Sequence, residues 1–336
     1  MKLKALFLSV FILISHFPAI ASADITEIRQ RNYIICGTNT EYKSLALLKK
    51  NEWQGFDADI CRALSTAIFG NAQNFKMLSV KTPDIGKFLG SGKIDVMLGN
   101  TTVSAPDEYT KKIAPAEILY YDRQIFASRK PTQASSMIDF KGSKVCVLRN
   151  SPHSATVSLY NQKHALELKL LELPTLASLK EAFYTNRCEL ISGSEIYLNH
   201  LITDIQTTDA PQILPEEISY NPVKIYVSHN SPKLNIITKW VINALKVASD
   251  AEMTSQNINI FASTKDESLQ NILGTNPKFW QSMGLQDIWA KKYISQYGNY
   301  EQIIDRHIGE GSSLQLKTPQ NKTVKKGGIL LTEPFI

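Results

Sequence analysis

The sequence predicts a mixed α/β fold arranged as two lobes. Strand and helix patterns alternate in two successive series, one between residues 33 and 98 and one between residues 144 and 192. Each series is followed by an extended segment rich in strand-forming residues, Tyr120–Phe126 and Asn221–Val227. Alternation of this kind builds a mainly parallel sheet, and 336 residues are enough to bury two cores. We therefore expect two α/β lobes joined by a hinge of two strands.

The first series contains three strand patterns and two helix patterns. The strands are predicted at residues 33–36, 75–80 and 94–98, and the helices at residues 59–69 and 83–90. Asp57 and Asp59 stand where an N-terminal cap and the dipole of the first helix both favour acidic side chains.

The second series repeats this order, with strands at 144–148, 168–173 and 189–192 and helices after Ser151 and at 177–184. Residues 88–96 and 182–190 share one plan, in which a helix end, a polar turn and an acidic strand residue follow each other. The similarity is explained either by a repeated unit or by chance. Both explanations leave two α/β series.

An amphipathic helix is predicted at residues 234–248, and its apolar stripe should dock on the first lobe. Short helices and loops follow as a C-terminal helical extension. We predict that residues 24–123 and 225–336 form lobe 1 with this extension, and that residues 124–224 form lobe 2.

The N-terminus has the pattern of a signal peptide. Lys2 and Lys4 precede the apolar stretch Ala5–Ile14, and Ala21-Ser22-Ala23 matches the small-x-small cleavage pattern. A membrane anchor is the alternative, but the stretch is far shorter than the roughly 20 residues of a span. We expect cleavage after Ala23 and a free protein in the periplasm.

Charge and motifs exclude several functions. Removing the two leader lysines lowers the formal net charge from +6 to +4, and the sequence has no basic run of the kind that binds nucleic acid. It carries no Gly-x-Ser-x-Gly, phosphate-loop or Gly-x-Gly-x-x-Gly motif, and its histidines are not paired at metal-ligand spacing. We expect a monomer that is not an enzyme and has no metal or cofactor.

Four cysteines, an even number in an exported chain, predict two disulfides. Three pairings are possible. Cys36 with Cys61 and Cys146 with Cys188 is favoured, because each bond then lies within one predicted lobe and closes a moderate loop, worth roughly 3–4 kcal/mol.

Several segments resemble periplasmic amino-acid-binding proteins of ABC transporters, most closely the general L-amino-acid-binding type. The resemblance is carried, in order along the chain, by Trp53–Ala63, Gly99–Thr102, Tyr120–Asp122, Ile213–Glu216, Gln296–Tyr300 and Gly309–Ser312. The four cysteines also stand where that family has its cysteines. The resemblance covers nearly the whole mature chain and implies the type II periplasmic-binding-protein fold, closure of two lobes on a small polar solute, and an ABC permease as partner.

In that family an arginine and a hydroxyl residue of the first lobe hold the carboxylate of an amino acid, and an aspartate of the second lobe holds its ammonium. Thr102 matches the hydroxyl residue, but Asp107 occupies the arginine position. Losing such a charge partner costs about 2–5 kcal/mol. Ser194 occupies the aspartate position, with Glu195 beside it. The resemblance therefore implies that both anchors have changed.

The Thr- and Gly-rich loop of the family becomes residues 148–154 here, and it contains Arg149 and Ser151. Either the site is rebuilt with opposite polarity, with Arg149 facing an anion and Asp107 facing a cation, or both are solvated rim residues. Tyr42 stands in the loop where the family places an aromatic residue against the ligand. The predicted ligand-binding residues are Tyr42, Thr102, Asp107, Arg149, Ser151, Ser194 and Glu195.

The favoured function is delivery of an amino acid or related small polar solute to an ABC permease. A receptor that has lost transport and acts in sensing or protein binding is one alternative. A dehydratase-like enzyme on the same scaffold is another, for which Asp107 or Glu195 would be the catalytic acid.

Overall fold

The computed structural model describes residues 24–129, 133–134, 136–203 and 211–335. The predicted signal peptide and its cleavage site lie outside these residues. The strands are β1 (Ile34–Thr38), β2 (Leu47–Lys49), β3 (Glu52–Gln54), β4 (Phe75–Ser79), β5 (Val96–Met97), β6 (Ile113–Ser128), β7 (Lys144–Leu148), β8 (Lys169–Leu173), β9 (Leu190–Ser194) and β10 (Gln212–Ser228).

The α-helices of the described residues surround these strands. They are α1 (Ile25–Arg31), α2 (Phe56–Phe69), α3 (Ile85–Gly90), α4 (Ala105–Thr110), α5 (Pro152–His164), α6 (Leu176–Tyr184), α7 (Glu195–Thr203), α8 (Pro232–Asp250), α9 (Glu267–Leu273), α10 (Pro277–Ser282), α11 (Trp289–Tyr297) and α12 (Tyr300–His307).

The main sheet has the strand order β4-β1-β5-β10-β6-β9-β7-β8 within the described residues. At one side β1 pairs in parallel with β4 and β5, and at the other side β7 pairs in parallel with β8 and β9. The long strands β6 and β10 pair antiparallel between these two groups. The chain thus has the two-lobed type II periplasmic-binding-protein fold, with lobe 1 on the β1 side, lobe 2 on the β7 side and a two-stranded hinge between them.

Differences from the predicted elements lie at their ends. β7 has the predicted bounds, whereas β6 and β10 extend well beyond the predicted extended segments. Helix α2 begins at Phe56, so Asp57 and Asp59 lie in its first turn and Gly55 occupies the N-cap without a side-chain cap. The acidic pair therefore acts on the positive end of the helix dipole rather than as a cap.

The two disulfides confirm the favoured pairing of cysteines. Cys36 on β1 is bonded to Cys61 on α2, and Cys146 on β7 is bonded to Cys188 just before β9. Each bond joins a strand to a neighbouring element of the same lobe.

The C-terminal extension packs on lobe 1. In the apolar stripe of α8, Ile237, Val241 and Leu245 are buried and Trp240 is partly buried. The hydroxyl of Tyr293 on α11 donates a 2.7 Å hydrogen bond to the backbone oxygen of Asp59 on α2. Trp280 and Trp289 pack edge to face with ring centroids 5.2 Å apart. The extension thus completes the core of this lobe.

None of the helices in the described part of the chain combines the length and the apolar character that crossing a membrane requires.

Candidate functional site

The loop after β5 is fixed in place by the start of α2. The hydroxyl of Thr38, at the end of β1, donates a 2.6 Å hydrogen bond to the Asp57 carboxylate, which also accepts a backbone hydrogen bond from Gly99. Burial raises the pKa of Asp57 to about 7. Gly99 has a φ of +90°, and a Cβ there would lie 2.5 Å from the backbone nitrogen of Asn39. Only glycine fits this turn, which presents Asn100 toward the hinge.

Asn100 connects this loop to the hinge and to lobe 2. Its side-chain nitrogen Nδ2 donates 2.9 Å hydrogen bonds to Oδ2 of Asp122 on β6 and to Oγ of Ser194 at the end of β9. Asp122 is 3% exposed and Ser194 is 2% exposed. Burial raises the pKa of Asp122 to about 6. The hydrogen bonds from Ser194 and Asn100 act in the opposite direction and lower this pKa, because they stabilise the carboxylate. A buried, hydrogen-bonded carboxylate therefore lies at the junction of the two lobes.

Tyr42 of lobe 1 contacts the same cluster. It is 6% exposed and makes a side-chain hydrogen bond with Ser194, and its ring lies 5.9 Å from that of Tyr197 on α7. One turn further along α7, His200 accepts a 3.1 Å hydrogen bond at Nε2 from the backbone nitrogen of Ser44. Side chains of the protein itself thus fill the space between the loops of lobe 1 and the start of α7.

Glu195, the residue after Ser194, forms an ion pair with Arg123 of the hinge strand β6. Its carboxylate accepts a 2.7 Å hydrogen bond from Nε of Arg123 and a second one from Nη2 of the same side chain. Arg123 also pairs with Glu217 on β10. Burial raises the pKa of Glu195, and the guanidinium opposes that shift. This ion-pair group ties β6, β10 and α7 together next to Asp122.

Thr102 and Asp107 flank the start of α4. Thr102 is partly buried in the loop before this helix. Ser104 caps the helix by accepting a 3.3 Å hydrogen bond from the backbone nitrogen of Asp107. The Asp107 carboxylate lies 3.1 Å from Lys111, one turn along the helix, and its side chain is 44% exposed. Its charge is therefore partly balanced by a residue of the same helix.

Arg149 and Ser151 lie in the loop between β7 and α5. The hydroxyl of Ser151 accepts a 3.3 Å hydrogen bond from the backbone nitrogen of Ser154 and donates a 2.6 Å bond to the backbone oxygen of Leu148, so it caps α5. Arg149 is exposed, and its Nη2 donates a 3.3 Å hydrogen bond to the backbone oxygen of Glu172. Burial lowers the pKa of the nearby His153 to about 4.

The sequence of residues 34–310 matches the family model of bacterial extracellular solute-binding proteins, family 3. The chain belongs to this family. Among similar proteins, the general L-amino acid-binding periplasmic protein AapJ of Rhizobium johnstonii is 27% identical over 319 residues, which cover 94% of each chain. The glutamate/glutamine/aspartate/asparagine-binding protein BztA of Rhodobacter capsulatus is 25% identical, and the match covers all of both chains.

A solved structure extends this comparison to three dimensions. The ABC transporter periplasmic binding protein of Brucella ovis with glutathione bound has a TM-score of 0.85 and 27% sequence identity to this solute-binding protein. The match covers 94% of this chain and all of the Brucella chain. The two chains therefore share both the two-lobed fold and the C-terminal extension.

The structure of this solute-binding protein brings together Tyr42 and Ser194 from the predicted ligand-binding set. It gives Asp107 and Arg149 separate partners within their own lobes. Asn100, Asp122 and Tyr197 complete the cluster and were absent from the predicted set. Asn100 and Asp122 lie in segments that carry the family resemblance, which is the one signal in the sequence that could have identified them.

This cluster brings several kinds of polar side chain together. It offers one buried carboxylate, one amide and three hydroxyl groups, all held by defined hydrogen bonds. Within the residues that the structure describes, no group of three or more His, Cys, Asp and Glu side chains is arranged to hold a metal ion.

Proposed function

We propose that this chain is the periplasmic substrate-binding component of an ABC importer for a small amine-bearing solute, either an amino acid or a short peptide. The lobes close on the solute, and the closed form is presented to a permease in the inner membrane. Two observations on relatives support the solute class. AapJ and BztA bind amino acids, and the Brucella structure holds glutathione, which also carries a free α-amino group.

The observation that carries this proposal is the position of Asp122. An ammonium ion needs a carboxylate partner when it leaves water, and Ser194 stands where the family resemblance implies an aspartate. Asp122 is hydrogen-bonded to Ser194 and is itself buried, so it supplies the missing charge beside the expected position. Asn100 and Tyr42 form hydrogen bonds with Ser194 in the structure, and the bound solute would replace them.

We assign the solute carboxylate to a hydroxyl group of lobe 1 and to a helix N-terminus of lobe 2. Thr102 supplies a hydroxyl from lobe 1. The N-terminus of α5, a helix of 13 residues capped by Ser151, supplies backbone amides and the positive end of a helix dipole from lobe 2. In the alternative of opposite polarity, Arg149 faces an anion and Asp107 faces a cation, and the substitution Asp107→Asn distinguishes the two arrangements.

We further propose how the chain is exported and divided into lobes. The leader is removed after Ala23, and the mature protein acts as a monomer in the periplasm. Its lobe 1 comprises residues 24–123 and 225–336, and its lobe 2 comprises residues 124–224. The pairing of the two hinge strands supports this division. Asp122 of β6 lies opposite Asn221 of β10, close to both proposed lobe boundaries.

The comparisons give no support to the two alternatives. The relatives named above are binding proteins, and neither a sensory receptor nor a dehydratase is among them. Glu195, one of the two acids considered for catalysis, is paired with Arg123.

Thermal unfolding of the refolded mature protein, freed of carried-over solute, tests the proposed solute class. The panel comprises L-amino acids, glutathione, opines, polyamines and small organic acids that lack an amine. A ligand at a hundred times its Kd stabilises the folded state by about 2.7 kcal/mol. We expect a rise in Tm with an amino acid or peptide. A rise with amine-free acids alone would contradict the proposal.

A further inference from the structure

A buried amide of the hinge is bonded to the start of helix α5. Gln124 on β6 is 0% exposed, and its side-chain nitrogen Nε2 donates a 2.9 Å hydrogen bond to the backbone oxygen of His153 in the first turn of α5. We propose that Gln124 is a positioning residue for the solute carboxylate, because it fixes the turn of α5 to which that carboxylate is assigned. This inference rests on the function proposed above.

The other hydrogen bonds of Gln124 reach two more strands. Nε2 also donates a 3.1 Å bond to Oγ of Ser192 on β9, and Oε1 accepts a 3.2 Å bond from Oγ of Ser219 on β10. The carbonyl of His153 can only accept, so it requires the nitrogen of the amide on its side. Because an unpaired polar group is costly in a buried place, the amide has one favoured orientation. One side chain thus links β6, β9, β10 and α5.

The first turn of α5 has a free backbone donor at the same residue. Pro152 is the first residue of the helix and has no N–H, and the N–H of Ser154 donates to Oγ of Ser151. Between them, the N–H of His153 donates no hydrogen bond to any residue that the structure describes. Gln124 therefore holds the carbonyl of the residue whose own amide is available to a carboxylate.

The side chain of His153 shows how closely this turn is packed. Burial alone lowers the pKa of its imidazole from 6.5 to about 4. A first turn that moved away from the hinge would let water reach the ring and would raise this pKa toward its ordinary value. His153 thus gives a signal for the position of the turn that requires no ligand.

A second contact keeps α5 in place when Gln124 is replaced. The buried hydroxyl of Ser154 donates a hydrogen bond to the carboxylate of Glu172, which follows the core of β8. Loss of Gln124 should therefore displace the first turn without unfolding the helix. Binding of a carboxylate then weakens selectively, because a hydrogen bond depends on distance and direction. Asp122, on the same strand as Gln124, keeps its own hydrogen bonds.

NMR titration of the His153 ring, without ligand, is the first test. Gln124→Met removes the amide at similar length, and Gln124→Asn keeps an amide but shortens its reach by one methylene group. The control is Asn243→Leu, which removes a buried amide of α8 with two hydrogen bonds to the backbone of Glu333. We expect the pKa of His153 to rise by about 1 or more in both Gln124 variants. It should stay at about 4 in N243L.

Affinity is the second test, measured by isothermal titration with the amino acid or peptide that raises Tm most and with its C-terminal carboxamide. Displacement of the tighter compound extends the measurement to weak binding. We expect Q124M to weaken binding of the acid about tenfold and binding of the carboxamide about twofold or less. N243L should bind both compounds as the wild type does. Q124N gives both readouts if Q124M does not fold.

The two tests separate this inference from the proposed function. An unchanged pKa of His153 in the Gln124 variants would overturn the positioning role, and so would equal weakening for the acid and the carboxamide. If the wild type binds no amine-bearing solute, the proposed function is wrong. The titration of His153 then still supports or overturns the role of Gln124 in holding the first turn of α5.

Discussion

The side chain of Asn100 donates a 2.9 Å hydrogen bond to the hydroxyl of Ser194, although the two residues are 94 positions apart and lie on opposite sides of the hinge. The same nitrogen donates to Asp122. The protein therefore satisfies its own buried polar groups where the solute is proposed to bind. A solute must replace these hydrogen bonds, so part of its binding free energy is spent on breaking them.

Replacing Asn100 by alanine removes the donor that both buried groups share. We expect Asn100→Ala to lower the free energy of unfolding by about 1–3 kcal/mol, because the Asp122 carboxylate loses a hydrogen bond that it cannot replace with water. Denaturant unfolding measures the change. Asn235→Ala is the control, since its 3.1 Å hydrogen bond to the backbone oxygen of Pro115 is exposed. Equal small losses in both variants would mean that Asp122 is solvated.

Replacing Arg123 by methionine tests the ion-pair group at the hinge. The buried carboxylate of Glu195 would then lack its cation, so we expect Arg123→Met to destabilise the protein by about 2–4 kcal/mol. Glu217, which is 35% exposed, also pairs with Arg123. Glu217→Gln should therefore cost less than about 1 kcal/mol. Urea unfolding of the two variants gives the comparison, and a larger loss in E217Q would show that Glu195 is not the main partner.

The raised pKa of Asp57 makes the stability of the protein depend on pH. Burial raises its pKa from 3.8 to about 7 in the folded protein. The folded state therefore holds this proton more tightly than the unfolded state does. Its contribution to stability is fully present below pH 3.8 and is lost as the pH rises through 7.

Asp57→Asn removes this titration and keeps an oxygen that can accept from Thr38. We expect D57N to gain stability relative to the wild type as the pH rises from 5 to 7, by roughly 1–2 kcal/mol. Unfolding free energies at three or four pH values measure the difference. A constant difference across that range would mean that Asp57 titrates as a solvated carboxyl group.

Local pattern was sufficient to predict the elements that build the lobes. β7 was predicted with its observed bounds because a short apolar run that follows Lys144 is enclosed by polar turns, and the apolar stripe of α8 was predicted from its period. The short hairpin of β2 and β3 was not predicted, because its residues are mostly exposed and show no alternation. The full lengths of β6 and β10 come from their pairing with each other, which no local window contains.

The candidate site was predicted only in part for the same reason. Tyr42 and Ser194 followed from the family resemblance. The role of Asp122 depends on its burial and on contacts with Asn100 and Ser194, which are 22 residues away and on the far strand β9, respectively. Such contacts arise from tertiary packing, so a motif can show where Asp122 lies in the chain but cannot show that its carboxylate is buried.

The measurement that tests the central claim most directly is the affinity of the amine-bearing solute with the largest thermal shift, determined by isothermal titration at pH 8 and pH 5. The variants are Asp122→Asn and, for the sequence-based alternative, Asp107→Asn. The pKa of Asp122 is about 6 without ligand. An ammonium ion requires its carboxylate, so wild-type affinity should fall about tenfold between pH 8 and pH 5.

We predict that D122N binds weakly at both pH values and that D107N follows the wild type. Wild-type affinity in D122N together with loss of binding in D107N would contradict the account, because the ammonium would then be held by the acid at the edge of lobe 1 and not by the buried carboxylate at the hinge.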